Sequence, residues 1–239
     1  MSKTFYFRYR ASEGPVRALL NGFVVINDLA GTGSTTKADP FLRPGENTLF
    51  IDARLAPQAD VGVQVMMASD DDPADEKVVA TLAYAAATHP DGMAEVRFDL
   101  PASSQAWPSI ATLRPAPDSP QDAYALVSRL ADALKEGPDA ILLDLLSTKH
   151  REIGVALGIG ADRMDRGLTA GLQARRSVAD FAVELVPFDN FFLYADGDRR
   201  LFRALRESGE DAILITVDGM TDGFAVTLGY NGQHWFIIR

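Results

Sequence analysis

Pro101-Ala102-Ser103-Ser104-Gln105-Ala106-Trp107-Pro108-Ser109-Ile110-Ala111-Thr112-Leu113-Arg114-Pro115-Ala116-Pro117-Asp118-Ser119-Pro120 divides the chain in two. Five prolines fall within this stretch. Proline fixes φ and removes a backbone donor, so no helix or interior strand of any length is expected here. With small and polar residues between the prolines, the stretch reads as a stiff, extended linker. The hydrophobic period changes across it. The 239 residues are therefore expected to form two domains, 1–104 and 120–239, joined by a proline-rich linker at 105–119.

Before the linker, apolar residues alternate with polar ones. Phe5, Phe7 and Tyr9 share one face, with Tyr6, Arg8 and Arg10 on the other. Leu49, Ile51, Ala53 and Leu55 repeat the pattern, as do Ala94, Val96, Phe98 and Leu100. Period two marks a half-buried strand. Further apolar segments lie at 16–20, 23–26, 61–67 and 78–86, separated by Gly14-Pro15, Asn21-Gly22, Pro44-Gly45 and Asp91-Gly92. Some seven short strands with turn residues between them predict an all-β sandwich.

After Pro120 the spacing becomes three and four. Ala123, Val127, Leu130, Ala131 and Leu134 form a helical stripe ended by Gly137. Pro138 stands where a second helix would start, and Ile141, Leu142, Leu145, Leu146, Ile153 and Leu157 continue it to Gly158. Leu168 and Leu172 predict a shorter third helix. In Gly158-Ile159-Gly160-Ala161-Asp162-Arg163, the glycines read as a helix end and Asp162 as the next N-cap. Strands are expected at 181–186, 191–194, 200–205, 212–217, 224–228 and 234–239. Asp196-Gly197, Asp218-Gly219 and Asn231-Gly232 mark tight turns. Helices followed by antiparallel strands give an α+β class.

Two phrases carry family resemblances. Val16-Arg17-Ala18-Leu19-Leu20-Asn21-Gly22-Phe23-Val24-Val25, followed by Leu42-Arg43-Pro44-Gly45-Glu46-Asn47-Thr48-Leu49, resembles jelly-roll sandwiches of the galactose-binding-like kind. The accessory sandwich domains of glycoside hydrolases carry similar phrases. In the second half, the helices and the ending Gly223-Phe224-Ala225-Val226-Thr227-Leu228-Gly229-Tyr230-Asn231-Gly232-Gln233-His234-Trp235-Phe236-Ile237-Ile238-Arg239 look like the cone-shaped α+β family named after nuclear transport factor two. That resemblance implies a curved sheet closed by helices. Members of that family include isomerases, dehydratases and oligomerisation modules, and its enzymes use an Asp, His or Tyr inside the cone.

Composition removes whole classes of function. Cysteine is absent, which excludes disulfides, thiolate metal sites and a cysteine nucleophile. The formal net charge is −10, which disfavours a nucleic-acid partner because phosphate neutralisation needs a positive surface. The excess is even: 10 Lys and Arg against 15 Asp and Glu in residues 1–118, and 13 against 18 in residues 119–239. No apolar run has the length of a secretory core or a membrane span, so a cytoplasmic protein without membrane contact is expected.

Candidate chemistry is correspondingly narrow. His89, His150 and His234 lack metal-ligand spacing, and no metal or cofactor is expected. Gly31-Thr32-Gly33-Ser34-Thr35-Thr36 has phosphate-loop composition, but Lys37-Ala38-Asp39-Pro40 follows it in place of a helix. It reads as a loop at one end of the sandwich. Asp70-Asp71-Asp72-Pro73-Ala74-Asp75-Glu76 lacks the spacing of a calcium loop and reads as a solvated turn. Inside the cone, Tyr124, Asp144, His150, Tyr194 and Asp196 are the candidate catalytic residues. A dehydratase or isomerase needs a tuned base and a hydroxyl donor in a dry pocket. Phe191, Phe192 and Tyr194 cannot all be buried on one sheet face, and the strand of Trp235 is apolar on both faces. Phe191, Phe192, Tyr194 and Trp235 are thus candidate interface residues, facing the other domain or a second subunit. The favoured reading is a non-catalytic binding or assembly role as a homodimer. The alternatives are a small-molecule enzyme with its pocket in the cone, and carbohydrate binding by the sandwich.

Overall fold

Alternation of apolar and polar residues in the first hundred positions builds strands, and the computed structural model places them in two sheets. It describes residues 3–11, 15–28, 34–69, 72–100, 112–195 and 200–238. The chain divides into two compact units, Met1–Ala106 and Trp107–Arg239. Among the described residues the first holds strands β1 (Lys3–Ala11), β2 (Val16–Leu20), β3 (Phe23–Asp28), β4 (Ser34–Lys37), β5 (Gly45–Asp52), β6 (Val61–Ser69), β7 (Asp72–Tyr84) and β8 (Met93–Leu100).

These pair in the orders β4-β1-β6-β7 and β3-β2-β5-β8, every neighbour antiparallel. Both sheets feed one buried cluster: Phe7, Tyr9, Val63, Val65 and Leu82 from the first, and Ala18, Leu20, Leu49, Ile51 and Ala94 from the second. Three local expectations are corrected. Leu55 does not continue the inward row; the strand ends at Asp52 and Leu55 is 57% exposed. Ser34–Lys37 is a strand on β1 where a loop was expected, while Gly31, Thr32 and Gly33 lie outside the described residues. The acidic run is strand from Asp72 onward, with Glu76 accepting from Arg8 Nη2 at 2.8 Å; Asp70 and Asp71 lie outside the described residues. The first seven residues of the expected linker, 105–111, do so too.

In the second unit the helical stripe becomes α1 (Gln121–Lys135), followed by α2 (Asp139–Ala156) and α3 (Ala161–Arg176). The stripe of α1 is its buried face, from Ala123 through Leu134. On α2 the buried residues are Leu142, Leu146, His150, Glu152 and Gly154, whereas Ile141 is exposed. One residue of rotation explains the difference: Ile141 precedes the row that Leu142 and Leu146 continue. Asp162 is not an N-cap; Gly160 holds that place and Asp162 lies in the first turn. The strands are β9 (Ala182–Leu185), β10 (Phe191–Ala195), β11 (Leu201–Arg206), β12 (Ile213–Val217), β13 (Met220–Phe224), β14 (Thr227–Tyr230) and β15 (Trp235–Ile237). They form the antiparallel sheets β10-β11-β14-β15 and β13-β12-β9. The class is α+β, with strands first and then helices and strands. No helix among the described residues is long and apolar enough to cross a membrane.

The second core joins the helices to both sheets. Val127, Leu130, Leu134, Leu142 and Leu146 meet Phe202, Ile213, Leu228, Trp235 and Ile237. Arg176 ties the three helices together. Its guanidinium donates to the carbonyls of Ala133 and Leu134 at the end of α1, and to Asp139 Oδ1 at the start of α2. Helix ends leave carbonyls without partners, so these bonds close α1 from a distant element. Gly137 stands beside it with φ +27, and a Cβ there would approach Arg176 Nη2 to 2.5 Å.

Candidate functional site

The candidate catalytic residues at described positions come from α1, α2 and β10, and the backbone sends them to different places. Tyr124 projects from the first turn of α1. Its hydroxyl donates to the Val186 carbonyl at 3.0 Å. Its ring stands edge-on to Phe188 and Phe191, with centroids 5.2 and 5.1 Å away. It is an aromatic clamp between α1 and the segment entering β10.

Tyr194 lies three residues after Phe191 on the same strand, and alternation therefore puts it on the opposite sheet face. There it is buried and in register with Arg203 of β11, which is itself in register with Thr227 of β14. All three are at most 8% exposed. Arg203 donates through Nε and Nη2 to Asp211 Oδ1, both at 2.8 Å. Gly223 makes room for this carboxylate, since a Cβ there would collide with Asp211 Oδ2. The same face carries Leu201, Leu205 and Ile238, also buried. The sheet is thus apolar on both faces, with one polar row across the second. Nothing in the sequence singles out Arg203 or Asp211. Their spacing of eight residues has no motif, and only the β11 turn brings them together.

Asp144 is exposed on α2. His150, two turns further on, is buried, and its Nδ1 meets Asp165 Oδ1 of α3 at 2.5 Å. Asp196 lies outside the described residues. The structure therefore does not bring Tyr124, Asp144, His150 and Tyr194 to one point. Two hydroxyls lie on opposite faces of a sheet, one carboxylate faces solvent, and the imidazole is engaged between two helices.

The remaining histidines are separate. His89 Nδ1 lies 2.9 Å from Thr88 Oγ1 in the turn after β7. His234 Nε2 lies 3.0 Å from Asn231 Nδ2 in the turn before β15. Among the described residues no group of three or more His, Asp or Glu side chains gathers to hold a metal ion.

Of the candidate interface residues, Trp235 is buried against Phe202 and Tyr230, with ring centroids at 5.2 and 5.5 Å. Phe191 is half-buried on Tyr124. Phe192 is 50% exposed, and Phe188 just before the strand is 38% exposed. Strand β10 is an edge of its sheet.

In the first unit, the phrases that carry the sandwich resemblance form one polar lock. Asn47 is fully buried, and its side chain makes four hydrogen bonds. Its Oδ1 accepts from Asn21 Nδ2 and the Arg43 backbone; its Nδ2 donates to the carbonyls of Arg43 and Gly45. Asn21 also donates to the Phe41 carbonyl and accepts from the Thr48 N–H. An amide has two donors and two acceptor lone pairs, so Asn47 is saturated by its own loops.

The sequence matches no family model, and neither a curated protein nor a solved structure matches the chain.

Proposed function

We propose that this protein is a cytoplasmic, non-catalytic assembly module that works as a homodimer, built from an N-terminal β-sandwich and a C-terminal α+β cone. The observation that carries this reading is the edge strand β10. It presents Phe192 half-exposed, follows a turn that begins with the partly exposed Phe188, and contains no charged residue. An edge strand offers a place where another strand can pair, and proteins that do not use such an edge protect it with charges or proline. The edge strand β13 has that protection in Asp222. Two copies pairing through β10 would form a self-complementary two-fold interface. The dispersal of Tyr124, Asp144, His150 and Tyr194 supports the non-catalytic part, because acid–base chemistry needs its groups within hydrogen-bond reach of one substrate.

Light scattering on the full chain tests this reading. A mass twice that of the chain is expected, falling to one chain in Phe192→Asp while the circular dichroism spectrum stays unchanged. A monomeric wild type would overturn it.

A further inference from the structure

α3 is fastened differently from the other helices. α1 buries six residues and α2 five, whereas the sixteen-residue α3 buries only Leu172. Two glycines, Gly167 and Gly171, sit within it, both exposed, and a Cβ at either would meet open space. Neither is required by packing, and each lowers the helix's own stability. Besides Leu172 in the core and the partly buried Leu168 against it, polar contacts hold it. At its N-terminal half Asp165 meets the buried His150. At its end Arg176 holds Asp139 and the α1 carbonyls, with Gln173 donating to Asp139 Oδ2 at 3.3 Å. The entry to α3 turns on Gly158 and Gly160, at φ +66 and +73, and Gly154 lets the Gly160 backbone pass so close that a Cβ would lie 2.7 Å from it.

Segments with few buried apolar contacts open below the global unfolding free energy, in contiguous units. We infer that α3 is a detachable cover: it leaves α2 as a unit while α1 and the sheets stay folded, and the His150–Asp165 contact gates its opening. The open form exposes His150 and the adjoining part of α2, which the closed form buries.

Native-state hydrogen exchange on the full chain tests this. Amides of α3 are expected to exchange at least about 100-fold faster, relative to their unprotected rates, than those of 127–134 in α1. Asp165→Asn should speed α3 exchange by about tenfold and leave α1 unchanged, because the contact to His150 loses its charged acceptor. Gly167→Ala with Gly171→Ala should slow α3 exchange by about fivefold per site, again without change in α1. This variant gains helix propensity, so it serves even where Asp165→Asn does not fold. Equal protection in α1 and α3, or variants that move both helices together, would overturn the inference.

Discussion

At the scale of single residues, two polar side chains organise turns. Asn47 joins the loop before β5 to the β2–β3 turn, where Asn21 has φ +52. Removing a partner from a buried bond leaves the other group unsatisfied, which costs more than the bond contributes. Asn47→Ala should destabilise the first unit by about 3 kcal/mol, read from the urea midpoint at unchanged slope. Asp180 plays the matching part in the second unit. Its two oxygens accept from the N–H groups of Asp218 and Gly219, at 2.9 and 2.5 Å, in the turn between β12 and β13. These backbone bonds favour the carboxylate and hold Asp180 below its ordinary value of 3.8. A depressed folded value means that the contribution is fully present above the ordinary value and is lost as pH falls through the lowered one. Asp180→Asn should therefore unfold at lower urea than wild type at neutral pH. The two midpoints should converge in acid below pH 3.8; a gap that persists there would contradict this role.

Elements show where periodicity is sufficient information. The α1 stripe was legible because five apolar residues repeat over three turns and one surface receives them all. β13 was not: Met220-Thr221-Asp222-Gly223-Phe224 has no alternation, and its first four residues are exposed. Only the Asp218-Gly219 turn marks it, because a tight turn needs a return strand. β4 carries no such signal either, being short and polar. The candidate residues were legible as residue types but not as a constellation. Strand parity separates Tyr124's neighbour Phe191 from Tyr194, and the partner of His150 lies on another helix. The Arg203–Asp211 pair was wholly hidden, since a buried ion pair is defined by the turn that assembles it. Its consequences are measurable. Asp211→Ala should cost about 3–5 kcal/mol in chemical denaturation, because it strands a buried guanidinium. Arg203→Met combined with Asp211→Leu should recover most of that loss, since apolar replacements remove both desolvation costs. A double variant as unstable as the single one would show that the charges themselves are required.

On the scale of the whole chain, the acidic excess is spread over both halves and does not form a tail. Such a charge favours solubility and opposes indiscriminate self-association. A dimer through the uncharged β10 edge is compatible with it, because the contact places no acidic side chain of that strand against its copy. Its stability should accordingly change little between low and high salt, which sedimentation at two ionic strengths would measure; a strong salt dependence would instead implicate charged surfaces. The Arg176 clasp also has a consequence in time. It reaches back 42 residues to the Leu134 carbonyl. A ribosome adding about 5–20 residues per second needs roughly 2–8 s to travel that distance. Throughout that interval the nascent α1 has its final carbonyls open to water, so the three helices complete one another only after the last of them has been made.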